Sequence, residues 1–511
     1  MTTGTPDPGT AQVCGAGVTG TRAELIQVQA TIGTGPPGLT ITGLPDHGIR
    51  EARDRIRAAT LNSGHCWPTG AITVSLSPAR ACHHGCGTDL PIAVAILAAA
   101  GVLPHGASQG HVFAAELGLD GQLRPVRDLV SLLRAAAEAD GSVTAVIAPD
   151  NWLEACTVPG VRIAPCQSLR QVIAWLRGQQ LPWEPYVPVA SAPGPHPSPG
   201  LAGIGVPPAL RQALETSAAG RHHLCLTGRQ PIAVTALAAA LTAMLPDLDD
   251  QQAGEATVAH AAAGLLRSSR AAVTRPPLRV PDHTATVAAM IGGGTPLGPG
   301  EAAVAHHGVL CLPDAPDFGR RVLDTLRQPL TSDQIVITRG RVTAQFPARF
   351  ILIAGLRRCP CGDPGRCTCT PAQIRRYQGR LTATLGAWLP LRVTVDPAAF
   401  TGSAAEPPGR DADTVSAERV AAARDRMRHR LAGTPWQLNG DIPRRELALT
   451  WPPSADGIAV IDRAVELGGL SDPAAGQVTA VAWTLADLAA KPRPGAAECG
   501  QALAYREGTS R

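Results

Sequence analysis

Between residues 201 and 404 the hydrophobic positions form short continuous runs separated by helical patterns. His223–Leu226, Gly308–Leu312 and Phe350–Ala354 are runs of strand length. Such continuous runs are typical of strands buried on both faces, as in a parallel sheet covered by helices. Apolar residues at helical spacing follow from Pro231 to Met244 and from Arg320 to Leu330. The pattern predicts an α/β domain with a parallel sheet.

The segment 12–181 also alternates predicted strands and helices. Strands are predicted at Leu39–Thr42, Ala71–Leu76 and Val143–Ile147, and a buried helix at Leu90–Ala100. Another helix, after Pro45, has a polar face that carries Arg50, Glu51, Arg53, Asp54, Arg55 and Arg57. That face indicates either a solvated helix surface or a basic surface for nucleic acid or a partner subunit.

Changes in composition predict the domain boundaries. Residues 1–11 have the composition of a disordered tail, and 182–200 form a linker rich in Pro, Ser and Ala. Residues 201–404 are the second α/β domain. From 405 to 511, Ala, Leu and Val at helical spacing predict a small helical domain.

Composition and charge exclude some classes of function. Of 511 residues, 44% are hydrophobic and 17% charged, and the net charge of +4 is too small to indicate nucleic-acid binding by itself. Lys491 is the single lysine, which excludes a phosphate-binding lysine or a Ser-Lys protease dyad before the C-terminal region. We see no apolar run long enough to span a membrane, no secretory signal, and 13 scattered cysteines, and we therefore expect a cytoplasmic protein.

A strand, a turn and a helix at residues 221–248 have the frame of a phosphate-binding loop. Such a loop needs glycines that let backbone N–H groups point at phosphate, a lysine for the β- and γ-phosphates, and a hydroxyl for Mg²⁺. Gly228 begins the loop and Thr235 stands at the hydroxyl position, but Ala233 and Val234 occupy the glycine and lysine positions. Taken alone, the segment indicates an ordinary strand-turn-helix.

Four cysteines follow the predicted strand at Phe350–Ala354 with the spacing C-x-C-x5-C-x-C, namely Cys359, Cys361, Cys367 and Cys369. Four thiolates can close a tetrahedral structural zinc site, although metal-binding pairs usually leave two to four residues between cysteines. The alternatives are four unligated thiols or two disulfides. A crowded group at Cys82, His83, His84 and Cys86 is a weaker metal candidate, and a Gly-rich loop explains it better.

Several long blocks together make the chain resemble the competence protein ComM / YifB family of magnesium-chelatase-like AAA+ proteins. The resemblance covers residues 12–508 and rests on GLPDHGIREARDRIRAATLNSG, GTDLPIAVAILAA, RPPLRVPDHTATVAAMIGGGTPLGPGEAAVAHHGVLCL, CPCGDPGRCTCTPAQIRRYQGRL and LSDPAAGQVTAVAWTLADLA. It implies a Lon-protease-like (ribosomal S5 domain 2-like) α/β domain, an AAA+ core and a C-terminal helical domain. It also implies a hexamer that uses ATP and Mg²⁺ for branch migration of DNA.

The chain departs from the family pattern where the family places its chemistry. The Gly-Lys of the phosphate loop corresponds to Ala233-Val234, and the Asp-Glu after the second strand corresponds to Pro313-Asp314. Arg357 stands at the position of the family's sensor Asn. Ala387-Trp388 corresponds to the Asp-Arg pair that carries the arginine finger, and Pro473 corresponds to the C-terminal sensor Arg. A carboxylate at 313 would be needed to hold Mg²⁺ and its waters.

Two hypotheses follow from these departures. The first is a pseudo-ATPase, a structural or regulatory member of an AAA+ ring that forms alone or with an active paralogue. The second is a working DNA motor in which Arg229 or Arg357 replaces the missing cation, although a planar guanidinium does not reproduce the point charge of lysine. Under the first hypothesis Gly228, Thr235 and Asp314 are vestigial nucleotide-binding residues.

Overall fold

The structure is a computed structural model that combines a mixed sheet, a parallel sheet and a set of C-terminal helices. It describes residues 9–44, 46–78, 85–139, 143–180, 206–228, 234–266, 272–295, 297–340, 342–361, 366–395 and 410–508. The predicted α/β fold class, with a parallel core sheet and a helical C-terminal part, is confirmed. The predicted linker at 182–200, Ala233, Arg229 and the group at 82–84 lie outside the described residues.

The N-terminal domain is built on a seven-stranded mixed sheet with the order β3-β4-β2-β1-β5-β8-β9. Its strands are β1 Thr10–Thr19, β2 Arg22–Gly33, β3 Gly38–Thr42, β4 Ala71–Ser77, β5 His111–Ala114, β8 Thr144–Ile147 and β9 Arg162–Pro165, with a small hairpin of β6 Glu116–Leu117 and β7 Leu123–Arg124. Its helices are α1 Asp46–Asn62, α2 Asp89–Ala99, α3 Leu129–Ala139, α4 Trp152–Ala155 and α5 Leu169–Leu176. Strand β1 thus begins inside the segment predicted as a tail.

The core of this domain explains why the sequence analysis found its elements. Along β2, Ile26, Val28 and Ala30 are buried and alternate with exposed residues, as expected for a strand with one face on the core.

Arg55 differs from the prediction of a solvated helix face. Its Nε lies 2.7 Å from the fully buried carboxylate of Asp89, so this arginine balances a buried charge instead of facing solvent.

The core domain contains a five-stranded, all-parallel sheet in the order β11-β14-β17-β10-β18. The three predicted apolar runs are its interior strands. The strands are β10 Leu224–Gly228, β11 Leu278–Arg279, β14 Val309–Leu312, β17 Ile351–Arg357 and β18 Leu391–Val395, and two hairpins are formed by β12 Gly292–Gly293 with β13 Gly298–Pro299 and by β15 Gln334–Arg339 with β16 Val342–Pro347. The helices are α6 Pro208–Gly220, α7 Val234–Met244, α8 Asp250–Ala262, α9 Val287–Ile291, α10 Glu301–Val304, α11 Arg320–Thr325, α12 Arg327–Ser332 and α13 Pro371–Leu385.

The helix predicted at Arg320–Leu330 is two short helices, α11 and α12, that meet at Leu326. Pro329 lies in the second of them. Proline has no N–H to donate and its ring clashes with the preceding turn, so a continuous helix through this position is disfavoured. A new helix that begins at Arg327 places Pro329 in its first turn, where the missing N–H costs little.

The C-terminal helices share one hydrophobic core with the parallel sheet. They are α14 Arg410–Arg430, α15 Arg444–Thr450, α16 Ala455–Glu466, α17 Asp472–Leu488 and α18 Ala496–Glu507. Their buried residues Val420, Val481 and Tyr505 pack in the same cluster as Leu224 and Ile353 of the sheet. Among the described residues, no helix combines the length and the apolar character that crossing a membrane would need.

A buried ionic network also joins the helices to the sheet. Asp441, whose side chain is 8% exposed, lies 2.8 Å from Arg221 Nε and 2.5 Å from Arg349 Nη2. Burial by itself would raise the pKa of Asp441, but the two arginines outweigh burial and hold the pKa below its ordinary value. Arg221 precedes β10 and Arg349 precedes β17, so one carboxylate fastens two strands of the core to the helical part.

Among the described residues, the N-terminal domain contacts the core through a hairpin and through a pair of helices. The turn between β1 and β2 meets the β15–β16 hairpin, where the Thr21 hydroxyl donates to the Gln345 carbonyl at 3.1 Å. Helix α3 packs on α8, and the Arg134 guanidinium lies against Gly254, where an added β-carbon would displace it. A cleft of about 430 Å³ remains between these contacts.

Candidate functional site

Three parallel strands end together at the carboxyl edge of the core sheet, the edge where open α/β sheets bind ligands. Gly228 at the end of β10 is paired with Arg357 at the end of β17, and Leu312 at the end of β14 is paired with Ala354. Pro313 and Asp314 follow Leu312 directly. The structure therefore brings Gly228, Arg357 and the Pro313-Asp314 pair to one place, as the resemblance implies.

The residue at the predicted lysine position of the phosphate loop, Val234, is a core side chain. Val234, the first residue of α7, is 5% exposed and belongs to the main hydrophobic core. A β-carbon on Gly355 would lie 1.7 Å from the Pro313 carbonyl oxygen and 3.1 Å from a Val234 methyl carbon. Position 355 therefore has room only for glycine, because the Pro313 loop and the first residue of α7 approach β17 closely there. Thr235, the next residue, is exposed.

Arg357 spans the acidic residues at this edge. Its Nε lies 2.9 Å from Asp314 Oδ1 and donates a hydrogen bond to the Tyr377 hydroxyl at 3.1 Å. Its Nη2 pairs with Asp317, and its Nη1 donates to the Pro360 carbonyl at 3.3 Å. Burial opposes the charged form, yet Tyr377 and the two aspartates outweigh burial and raise the pKa of Arg357. We call this set of four contacts the Arg357 clamp.

The clamp determines which chemistry this edge can carry out. Both carboxylates that the described strand ends bring here, those of Asp314 and Asp317, already face a guanidinium. Burial, assisted by the charge of Asp317, raises the pKa of Tyr377 to about 12, so its phenol stays protonated at neutral pH. The two carboxylates share this one guanidinium, so the cluster keeps one negative charge in excess, and both aspartate side chains are partly exposed. Among these residues, Mg²⁺ finds no carboxylate without an ion-pair partner.

The predicted finger and C-terminal sensor positions lie at the opposite edge of the sheet. Ala387 and Trp388 precede β18, which runs parallel to β10, and a pocket of about 200 Å³ is lined by Trp388 and Pro473. The Gln477 amide donates to the Ala387 carbonyl at 2.8 Å. A five-residue strand separates the two edges by about 13 Å. Within one chain these positions therefore do not reach Gly228, and only a neighbouring subunit could bring them to a nucleotide site.

The four predicted metal ligands come together between β17 and α13. All four Sγ atoms lie within 4.8 Å of one another, with Cys359 3.4 Å from Cys361 and 3.5 Å from Cys367. Cys361 and Cys367 are exposed, and Cys359 and Cys369 are half-buried. The helix that follows is fixed by a capping box between Thr370 and Gln373, which places its first turn beside the thiols.

Sequence reasoning missed three residues of the carboxyl edge, Asp317, Tyr377 and Gly355. Asp317 and Tyr377 are distant in sequence from Arg357, and no periodic pattern brings them to it. Gly355 did carry a signal, because a glycine inside a buried strand often marks a place where another backbone approaches closely.

A second cluster was also missed, in which Glu255 accepts hydrogen bonds from His306 and His307. The Glu255 Oε2 atom lies 3.2 Å from His306 Nε2 and 2.7 Å from His307 Nε2. The Arg349 amide donates to His306 Nδ1 at 3.0 Å, so neutral His306 carries its proton on Nε2 and has no lone pair there for a metal. Burial lowers the pKa of His306 to about 4, which keeps the ring neutral. This cluster is a structural hydrogen-bond network.

Comparisons with known proteins identify the family of the chain. Three family models match the chain: subunit ChlI of Mg-chelatase over residues 28–151, magnesium chelatase subunit ChlI over residues 201–402, and the magnesium chelatase subunit ChlI C-terminal model over residues 411–506. The competence protein ComM of Haemophilus influenzae is 34% identical over 500 residues, which are 95% of this chain and 95% of ComM. The uncharacterised protein YifB of Escherichia coli is 35% identical over 413 residues, 80% of each chain. The uncharacterised protein Rv2897c of Mycobacterium tuberculosis is 35% identical over 498 residues, 96% of this chain and 97% of Rv2897c.

Proposed function

The chain belongs to the magnesium chelatase subunit ChlI family, with ComM and YifB among its relatives, and we propose that it is an AAA+ subunit of this family that does not hydrolyse ATP. Its role is structural or regulatory. One relative, ComM, is named a competence protein, and we propose that this role belongs to DNA recombination during transformation. The 13 cysteines are consistent with a reducing cytoplasm, where we expect the protein to act.

The observation that carries the proposal is the Arg357 clamp. In an ATPase of this type the carboxylates beside the phosphate loop hold Mg²⁺ and orient the attacking water. Here Asp314 and Asp317 pair with the guanidinium of the same chain. A bound Mg²⁺ would have to compete with that guanidinium for the two carboxylates, and Pro313 supplies no further carboxylate.

The packing at Val234 supports the same conclusion from the phosphate side. Phosphoryl transfer depends on positioned charge, and one arginine finger alone contributes about 10³–10⁵ in rate. Val234 supplies no charge and is packed against β17 beside Gly355. Although losses at several positions are not additive, together they leave a rate close to background.

The partner of such a subunit is a ring of AAA+ proteins. We propose a hexameric ring, either of this chain alone or mixed with an active paralogue. The edge that carries Ala387, Trp388 and Pro473 is then the surface that faces the nucleotide pocket of a neighbour. In a homomeric ring this surface brings no arginine from those three positions, so neighbours do not restore hydrolysis. DNA is the expected substrate of the assembly.

Steady-state ATP hydrolysis, measured with and without branched DNA, tests the proposal. We expect no turnover above background for the natural chain. Val234→Ala and Asp314→Asn should give the same result, because a pocket that supports no hydrolysis has no activity to lose. Turnover that clearly exceeds background and falls in Asp314→Asn would overturn the proposal. It would support an active motor in which Arg357 acts as the replacement cation.

A further inference from the structure

The cysteine group and the Arg357 clamp share one peptide segment. Pro360 lies between Cys359 and Cys361, and its carbonyl accepts a hydrogen bond from Arg357 Nη1 at 3.3 Å. On the other side of Cys359, the Arg358 amide donates to the Gly228 carbonyl at 3.0 Å, and Gln378 of α13 donates to the Arg358 carbonyl at 3.0 Å. The backbone that carries the thiols is therefore the backbone that anchors the guanidinium.

The thiol geometry fits a tetrahedral metal better than it fits disulfides. With metal–sulfur bonds of about 2.3 Å, a tetrahedral zinc site places its sulfur atoms about 3.8 Å apart. Two of the sulfur–sulfur distances here are 3.4 and 3.5 Å, and no pair exceeds 4.8 Å. A disulfide would require about 2.0 Å. All four ligands are sulfur, which favours zinc over the oxygen-preferring cations Mg²⁺ and Ca²⁺.

We infer that the four cysteines bind one Zn²⁺ ion and that this ion holds the Arg357 clamp in place. The two Cys-x-Cys arms make little contact with a hydrophobic core, since Cys361 and Cys367 are exposed. Metal binding therefore supplies the free energy that orders them. Ordering the first arm fixes the Pro360 carbonyl, which in turn fixes the guanidinium over Asp314 and Asp317. A closed four-thiolate site leaves no open position on the metal, so its role is structural.

Metal content and hydrogen exchange test this inference, and neither readout measures nucleotide turnover. Protein purified under reducing conditions should contain about one zinc per chain, and Co²⁺ substitution should give the absorption of a tetrathiolate site. Cys361→Ser should lose the metal. Cys66→Ser, at an exposed cysteine of the N-terminal domain, should retain it.

The coupling to Arg357 is tested in the same samples. Loss of zinc, by Cys361→Ser or by chelation of the natural chain, should speed hydrogen exchange at the Arg358 amide and in the segment 313–317 by about tenfold or more. Cys66→Ser should exchange at the natural rate. Absence of zinc from the natural chain, or zinc loss without faster exchange at these amides, would overturn the inference. Because the chelation arm uses the natural chain, the test stands even if Cys361→Ser fails to fold.

Discussion

Replacing Asp441 with asparagine should lower the free energy of unfolding of the core and helical parts by about 3 kcal/mol, because Arg349 loses its carboxylate partner and Arg221 keeps only Asp333. Asp441 is 8% exposed and is the shared partner of Arg221 and Arg349. Both guanidiniums are largely buried, so water does not replace the lost carboxylate. Urea unfolding followed by tryptophan fluorescence measures the change.

The control for this prediction is a surface pair on α14. Asp425 lies 2.9 Å from Arg428, but both side chains are mostly exposed, and such pairs contribute about 1 kcal/mol or less. Asp425→Asn should therefore unfold at nearly the natural urea concentration. If Asp441→Asn were as stable as Asp425→Asn, the ionic network would not fasten the helices to the sheet.

Val234→Lys should restore no ATP hydrolysis and should also destabilise the core domain, by about 3 kcal/mol. The position is 5% exposed, and a Val234 methyl carbon lies close to Gly355 of β17. A lysine here would bring a buried charge against β17, and Asp314 would still pair with Arg357. Thermal unfolding and steady-state ATPase assays on the same preparation measure both effects.

Thr235→Lys is the matched control, because it adds the same charge at the next residue, which is exposed. Its stability should stay within about 0.5 kcal/mol of the natural chain. A Val234→Lys protein that is as stable as Thr235→Lys and that hydrolyses ATP would show that the loop retains a functional phosphate site.

The hydrophobic pattern predicted the parallel sheet because its interior strands are buried on both faces. Apart from His223 at the start of the first, the runs ending at Leu226, Leu312 and Ala354 contain no polar residue that would indicate a surface strand, and all three are interior strands of the sheet. The spacing of the four cysteines likewise predicted a group of thiols that the fold does bring together. In both cases the signal lies within a short stretch of chain.

The clamp could not be predicted because its members come from separate elements. Arg357 ends β17, Asp314 and Asp317 follow β14, and Tyr377 lies in α13. The sequence identified Arg357 as a replaced sensor position, but the direction of its side chain depends on the assembled sheet. Arg55 shows the same limit, since its helical spacing indicated a solvated face and the fold instead gave it the buried Asp89 as a partner.

Equilibrium binding of ATP in the presence of Mg²⁺ tests most directly whether the side chains of Arg357 and Val234 prevent nucleotide binding at this edge of the sheet. Titration of the natural chain with a fluorescent ATP analogue, beside Asp314→Asn, separates binding at this edge from binding elsewhere. The clamp and the packing at Val234 predict no saturable site tighter than about 1 mM, with or without Mg²⁺. A Kd of micromolar order that requires Mg²⁺ and is lost in Asp314→Asn would contradict the account.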